Sequence, residues 1–286
     1  MGLYKKTFER LFDWLPRLIK PFALRIYYTP IDLTGFLKGE SERVLPPKRM
    51  RILVGDGDFE EIGKDLLQAL IEIGGLKPNE RVLDVGCGIG RVAIPLMDYM
   101  KGNGCYEGFD IVPHVIKWCQ KNISSRCSNF HFQIADIYNG VYNPAGEYKA
   151  SNYKFPYKDE SFDFVFLTSV FTHMLTEDMQ AYLLEIVRVL RKGGRCFITY
   201  FLLNPETIRF MEQKQSTFDF KRERDGCCYV DNENNPEHAV AYEEDFIRKL
   251  FKKNSLILIE PIYYGEWRNG KKSQPFQDFI IVNKVL

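Results

Sequence analysis

The chain has 286 residues, of which 45% are hydrophobic and 27% are charged, and this is the composition of a globular protein rather than a disordered one. Its formal net charge is +1 and it has no arginine-rich tract, so we expect no nucleic-acid partner. Its seven cysteines include no C-x-x-C pair, which argues against a disulfide framework and a zinc site and favours a reducing cytoplasm with no bound metal.

Residues 1–28 form a basic amphipathic segment, in which Trp14 and other apolar residues are interleaved with lysine and arginine. One interpretation is a helix that rests on anionic lipid at the inner membrane face. The other, which we prefer, is a lid over the following domain, because Pro16 and Pro21 would interrupt a long helix. No apolar stretch is long enough to span a bilayer, so the sequence predicts a cytoplasmic protein or one peripheral to the membrane.

The next stretch, residues 29–58, is rich in proline, glycine and charge, as linkers are. After it, apolar residues recur at helical spacing between positions 59 and 73, and Gly74 and Gly75 end this predicted helix. We therefore predict a cap and linker over residues 1–58, followed by one domain over residues 59–286.

The motif VLDVGCGIGR, residues 82–91, predicts a buried strand, a tight turn and a helix. Gly86, Gly88 and Gly90 can adopt backbone angles closed to other residues and have no Cβ, so a ligand can lie against the main chain. A dinucleotide site would place a small residue where Arg91 stands, and Asp84 would repel a pyrophosphate. The motif therefore favours a cofactor with an ammonium and a sulfonium and no phosphate, which is S-adenosylmethionine.

Three further strands are predicted to end at the same edge of a parallel sheet. They cover residues 105–111, 129–137 and 162–169. Asp110 lies twenty residues after Gly90, where such folds place an acid on the ribose hydroxyls; a solvated acid at a strand end is the alternative. Ligands of open parallel sheets bind beyond the carboxyl ends of the strands. The predicted strand ends carry Asp84, Asp110, Asp136 and Thr168.

The remaining elements alternate between helix and strand. Helices are predicted to open at Pro113 and at Thr176, a fifth strand to cover residues 195–200, and the polar stretch from about 204 to 240 to be a loop-like insertion over the mouth of the site. A helix over residues 241–251 and strands over 256–263 and 277–282 complete the chain.

These motifs resemble those of the class I S-adenosylmethionine-dependent methyltransferases, in particular the bacterial group called type 11, over residues 59–203. The resemblance implies an α/β, Rossmann-like fold with a seven-stranded, mostly parallel sheet, helices on both faces and an antiparallel last strand. It implies that the turn from Asp84 to Gly90 holds the methionine end of the cofactor, that Asp110 holds the ribose, and that Asp136 and Ile137 flank the adenine. The candidate cofactor-binding residues are Asp84, Gly86, Cys87, Gly88, Gly90, Asp110, Ile111, Asp136, Ile137, Thr168 and Ser169.

The chain departs from this family at Thr172, where many relatives have the first residue of a His-His or His-Trp pair; His173 keeps the second position. The loop after the fourth strand reads LTSV rather than the N/D-P-P-Y typical of nucleobase amine acceptors. A hydroxyl acceptor needs a positioned base, and His173 is the candidate, with His238 a weaker one. The alternative for His173 is a histidine that only packs near the cofactor.

Three functions follow from these observations. The first is O-methylation of a hydroxyl on a small molecule or glycan, the second is methylation of a lipid or glycolipid at the membrane, and the third is a catalytically silent protein that binds S-adenosylmethionine. We prefer the first. An aromatic and polar segment near the C-terminus is a candidate lining of the acceptor site; it contains Tyr263, Tyr264, Glu266, Trp267, Gln277 and Asp278. The alternative is core packing for the two tyrosines and a solvated hairpin for the other residues.

Overall fold

The computed structural model describes residues 26–30, 32, 44–51, 57–140, 142–220, 222–271 and 275–285. Residues 1–25, and with them most of the predicted amphipathic cap, lie outside the described part. The chain divides into two compact units, Met1–Ile62 and Gly63–Leu286. In the first unit, the carboxylate of Asp32 accepts a hydrogen bond from the backbone N–H of Lys48 (2.6 Å), at the start of a one-turn helix, Lys48–Arg51.

The second unit is built on a sheet that has seven strands in the described part of the chain, in the order β10-β11-β5-β4-β1-β2-β3. The pairs among β1 to β5 are parallel, whereas β11 runs antiparallel to both β5 and β10. This confirms the predicted fold class, including the antiparallel last strand. The strands are β1 (Arg81–Val85), β2 (Cys105–Asp110), β3 (Phe130–Ile134), β4 (Phe162–Leu167), β5 (Leu190–Tyr200), β10 (Leu256–Tyr263) and β11 (Asp278–Lys284).

Helices surround this sheet and place their apolar side chains in its core. In the helix that opens at Thr176, the buried side chains are Met179, Tyr182, Leu183, Ile186 and Val189, spaced at three and four residues as one helical face requires. The helices are α1 (Phe59–Glu72), α2 (Ala93–Tyr99), α3 (Pro113–Cys119), α4 (Thr176–Val189), α5 (Pro205–Glu212) and α6 (Glu244–Lys253). Within the described residues, no helix has the length and apolar character needed to cross a membrane.

The stretch from 204 to 240 contains more regular structure than the sequence predicted. It holds α5 and the strands β7 (Arg222–Glu223) and β8 (Cys228–Val230), and its end leads into β9 (Val240–Glu243). The strands β7, β8 and β9 form a second sheet with β6 (Leu202–Leu203), in the order β6-β9-β8-β7.

The helix predicted over residues 241–251 is wrong at its first turn. Residues 240–243 are the strand β9, which pairs antiparallel with β8, and α6 begins only at Glu244. The apolar residues Ala241 and Tyr242 fit either periodicity, and pairing with a strand more than ten residues away decided between them.

Predicted strand boundaries also shift, by three or more residues at the end of the third strand and at the start of the fifth. The third strand ends at Ile134 rather than Ile137, the fourth ends at Leu167, and the fifth begins at Leu190.

An ion pair holds the amino end of the sheet together. One guanidinium nitrogen of Arg195, in β5, contacts both carboxylate oxygens of Glu80, which precedes β1, at 2.7 and 2.6 Å. The same side chain donates to the backbone carbonyls of Gly74 and Gly75, just after α1. Arg195 therefore closes the end of α1 and joins it to two central strands.

Candidate functional site

The turn between β1 and α2 is tied to the neighbouring strand by backbone hydrogen bonds. The N–H groups of Gly86 and Cys87 both donate to the carbonyl of Phe109, at 2.9 and 3.0 Å. Gly86, Gly88 and Gly90 have φ angles of +76°, +53° and +77°, which side chains rarely allow. A Cβ on Gly86 would also lie 2.5 Å from Cγ2 of Val170, so that position cannot take a larger residue without displacing Val170.

Asp84 lies at the carboxyl end of β1 with only 2% of its surface exposed. Oδ2 accepts a hydrogen bond of 2.7 Å from the hydroxyl of Tyr106, while Oδ1 is buried and has no hydrogen-bond partner among the described residues. Burial raises the pKa of Asp84 to about 8, and the charges of Asp110 and Arg91 act in opposite directions on it. A buried carboxylate oxygen without a partner, next to an open glycine turn, fits a cationic group of a ligand.

Asp110, at the end of β2, joins the turn to the start of α3. Its Oδ2 accepts from the N–H of Gly88 (2.8 Å) and its Oδ1 from the N–H of Val112 (2.9 Å). Burial raises the pKa of Asp110, and these backbone donors oppose the shift. Ile111, the next residue, packs against the main core.

The two residues expected beside the adenine face different environments. Asp136 is exposed just beyond β3, and its Oδ1 accepts a long hydrogen bond of 3.4 Å from the N–H of Glu147. Ile137 is buried in the main core and forms a β-bridge with Tyr148. Asp136 can therefore reach a ligand at the strand edge by its side chain, whereas Ile137 acts chiefly through packing.

Residues just after β4 are linked to the C-terminal strand. Ser169, with φ of +59°, donates through its N–H to Oγ1 of Thr199 (2.8 Å) and through its hydroxyl to Oε1 of Gln277 (3.0 Å). The amide of Gln277 in turn donates to Oγ1 of Thr172 (3.3 Å). Thr168 lies half-buried beside them. Gln277 is thus held at the carboxyl edge of the sheet.

Other residues of the aromatic C-terminal segment serve the fold. Asp278 is fully buried, and its carboxylate accepts from the N–H groups of Leu202 and Gly265 (2.7 Å each) and from the indole of Trp267 (3.0 Å). The hydroxyl of Tyr264 donates to Glu244 at 2.8 Å. Trp267 and Asp278 are both fully buried, so the solvated hairpin expected as the alternative for them is wrong, and they belong to the core.

His173 ends a short 3-10 helix, Phe171–His173, that follows β4. Its Nδ1 lies 3.0 Å from the backbone carbonyl oxygen of Glu237. Because a carbonyl only accepts, Nδ1 carries the proton and the lone pair of the neutral ring is on Nε2. Burial lowers the pKa of His173, so the neutral form persists to lower pH than in an exposed histidine.

Two groups next to His173 were not identified from the sequence, Tyr142 and Glu237. The ring of Tyr142 meets the imidazole edge to face, with centroids 5.9 Å apart, and Asp110 raises the pKa of its hydroxyl in addition to burial. Glu237 lies 64 positions away in the chain, so no local motif indicates it. His238, the second base candidate, pairs instead with Asp231 at 2.8 Å and is half-exposed.

The sheet order and the glycine turn define a class I methyltransferase fold. A family model described as a methyltransferase domain matches residues 76–255, more than half of the chain, and the chain therefore belongs to that family, whose cofactor is S-adenosylmethionine.

Named relatives match only in part. An uncharacterised protein from Haemophilus influenzae is 31% identical over 46% of this chain and 47% of its own length. Phosphoethanolamine N-methyltransferase 3 from Arabidopsis thaliana is 26% identical over 56% of this chain and 29% of its own length. The chain thus spans less than half the length of these curated relatives. A protein from Pyrococcus horikoshii, 16% identical, has the same fold with a TM-score of 0.55, covering 82% of this chain and 93% of that one.

Proposed function

We propose that this chain transfers the methyl group of S-adenosylmethionine to a hydroxyl of a small molecule or glycan, in the cytoplasm. The observation that carries the proposal is the hydrogen bond from His173 Nδ1 to the carbonyl of Glu237, because it leaves Nε2 as the proton acceptor. Turning a hydroxyl into a nucleophile requires such a base in the transition state.

The residues of the turn fit the cofactor. S-adenosylmethionine supplies a methyl group already activated by a sulfonium, so the protein has to align the acceptor and exclude water. We assign Asp84 to the methionine ammonium and Asp110 to the ribose hydroxyls, with Gly86 and Gly88 allowing close approach of the main chain. The buried, unpartnered oxygen of Asp84 supports the first assignment. Asp136, at the exposed strand edge, is assigned to the adenine side.

The acidity of the acceptor ranks the candidate hydroxyls. Burial lowers the pKa of His173 from 6.5, whereas a phenol has a pKa of about 10 and an aliphatic alcohol, like water, has a pKa far above that of a phenol. Each unit of difference costs about 1.4 kcal/mol for full proton transfer. A phenol-like hydroxyl therefore loses its proton to His173 more readily than an aliphatic alcohol, and we place it first among the acceptors.

Two other acceptors remain as alternatives. The Arabidopsis relative is named as an N-methyltransferase, and an ammonium, with a pKa of about 10, would also lose its proton to His173. The basic amphipathic character of residues 1–28 supports a lipid acceptor met at the inner membrane face.

The test measures methyl transfer from tritiated S-adenosylmethionine to catechol, tyramine and methyl glucoside between pH 5 and 8.5. At a concentration of S-adenosylmethionine that saturates the protein at every pH, we expect turnover on catechol to rise with pH through an ionisation below 6.5 and then level off. His173→Ala should lose roughly 100-fold or more in turnover and bind S-adenosylhomocysteine like the unmodified protein, since positioned bases contribute about 10²–10⁴-fold.

The matched control is His131→Ala, which removes an exposed histidine of β3 that pairs with Glu107 in β2. It should leave turnover unchanged. Full activity in His173→Ala, or transfer only to the amine of tyramine, would contradict the proposed O-methylation.

A further inference from the structure

Glu237 makes two hydrogen bonds through two different groups. Its backbone carbonyl oxygen lies 3.0 Å from Nδ1 of His173, and its Oε2 accepts from the backbone N–H of Gly140 at 3.0 Å. These partners are 64 and 97 positions away in the chain. Glu237 therefore joins the insertion after β5, the segment after β4 and the loop after β3 at one point.

The backbone bond decides which ring nitrogen of His173 can take a proton. A neutral imidazole in water exchanges between its two tautomers, and only the tautomer protonated at Nδ1 has its lone pair on Nε2. The carbonyl of Glu237 selects this tautomer and fixes the plane of the ring. The position of this carbonyl depends on the short 3-10 helix that contains Glu237, Pro236–His238, and therefore on the contacts that hold this helix in place.

The side-chain bond holds that short helix against the loop after β3. Gly140 lies two positions before Tyr142, whose ring packs edge to face on His173. At its other end the same short helix is held by the pair between His238 and Asp231. The bond from Gly140 thus links the carbonyl that orients His173 to the loop that carries the ring of Tyr142, and breaking it would remove that link.

We propose that Glu237 is a positioning residue that fixes the tautomer and orientation of His173. It does so because its carboxylate accepts a hydrogen bond from Gly140 and thereby ties the insertion to the loop after β3. The inference rests on the proposed role of His173 as the base. Glu237 acts through His173 and through Tyr142, and its carboxylate serves as a hydrogen-bond acceptor rather than as a charge.

The test reads the tautomer directly. Proteins labelled with ¹⁵N-histidine are studied by proton–nitrogen correlation of the imidazole rings at pH 8 with S-adenosylhomocysteine present. The chain has four histidines, so the spectrum holds four rings, and His173→Asn assigns the relevant one. We expect a single tautomer protonated at Nδ1 in the unmodified protein, a mixture in Glu237→Ala, and the single tautomer again in Glu237→Gln, because an amide oxygen also accepts from Gly140.

Turnover should follow the spectra. Glu237→Ala should lower kcat by roughly 10- to 100-fold while the KM for S-adenosylmethionine stays unchanged, since a small misplacement of a catalytic group has effects of this size. Glu147→Ala is the matched control, because it removes an exposed glutamate from the loop after β3, and it should change neither spectrum nor rate. The rings of His114 and His131, which lie outside the insertion, show whether each variant is folded.

A single Nδ1-protonated tautomer in Glu237→Ala would overturn the inference, as would failure of Glu237→Gln to restore it. Full turnover in His173→Ala would instead remove the proposed base, and the spectra would still decide whether Glu237 orders the ring. The two failures are therefore distinguishable.

Discussion

The affinity for the cofactor should depend on pH through Asp84. The pKa of this carboxyl is about 8 in the ligand-free protein, because the group is buried. At pH 6, two units lower, roughly one molecule in a hundred carries the carboxylate, whereas at pH 8 about half do. If the cofactor ammonium binds only when Asp84 is ionised, the apparent dissociation constant is inversely proportional to the ionised fraction of Asp84. The affinity should then rise roughly 50-fold between pH 6 and 8.

Calorimetric titration with S-adenosylhomocysteine measures both this slope and the proton released. Below pH 7, nearly one proton should leave per molecule bound, which is detected by repeating the titration in buffers of different ionisation enthalpy. Asp84→Asn keeps the shape of the side chain and an oxygen that can accept from Tyr106, and it cannot ionise. The affinity of Asp84→Asn should be lower at pH 8. Any dependence of its affinity on pH that remains comes from ionisation of the ligand's own amino group. Equal slopes in both proteins would refute the assignment of Asp84.

Asp84→Asn should lower the affinity for the cofactor at pH 8 but raise the stability of the ligand-free protein. The folded pKa of Asp84 is raised above its ordinary value of 3.8, so the folded state holds a proton that the unfolded state has lost between about pH 4 and 8. Stability therefore falls as pH rises through this window. Ligand-free Asp84→Asn should unfold at a higher temperature than the unmodified protein at pH 8.5, with the difference shrinking towards pH 5, and a lower unfolding temperature at pH 8.5 would contradict the burial argument.

Three further predictions concern other parts of the chain. Arg195→Met should destabilise the fold by about 3–5 kcal/mol in urea unfolding, because it leaves the carboxylate of Glu80 buried without its partner; a loss under 1 kcal/mol would show that the pair is solvated. Asp110→Ala should weaken S-adenosylhomocysteine binding by about 1–3 kcal/mol in calorimetry, and wild-type affinity would remove Asp110 from the site. Deletion of residues 1–28 should lower turnover on catechol and spare cofactor affinity; unchanged turnover with lost binding to anionic liposomes would favour membrane contact over a lid.

The fold was predictable from the sequence where one face of an element is apolar and its neighbours in the chain are also its neighbours in the sheet. β1 and β2 pair in parallel across one helix, and the periodicity of α4 sets its buried face. Prediction failed at residues 241–243, where pairing with β8 outweighed helical spacing. It also missed the strands β7 and β8, because they are only two and three residues long and their periodicity is too short to indicate a strand.

The sequence predicted more about the cofactor side of the candidate site than about the acceptor side. Asp84 and Asp110 follow from the rule that ligands bind at the carboxyl ends of parallel strands, and the structure joins Asp110 directly to the glycine turn. Trp267 and Asp278 looked like acceptor groups because they are polar or aromatic and clustered. The structure shows that Asp278 accepts hydrogen bonds from two buried backbone N–H groups and from an indole, so its carboxylate stabilises the fold.

The two sides differ because their hydrogen bonds join residues at different separations in the chain. The bond that orders the cofactor turn, from Gly88 to Asp110, spans 22 positions inside one strand–helix–strand unit. The bonds that order His173 span 64 and 97 positions and come from two loops whose sequences carry no recognisable motif. Resemblance to a family thus predicts candidate residues on the cofactor side of this site, since that side lies within the shared unit. The acceptor side has to be argued from Glu237, Gly140 and Tyr142 themselves, because these loops differ most readily among proteins that share a fold.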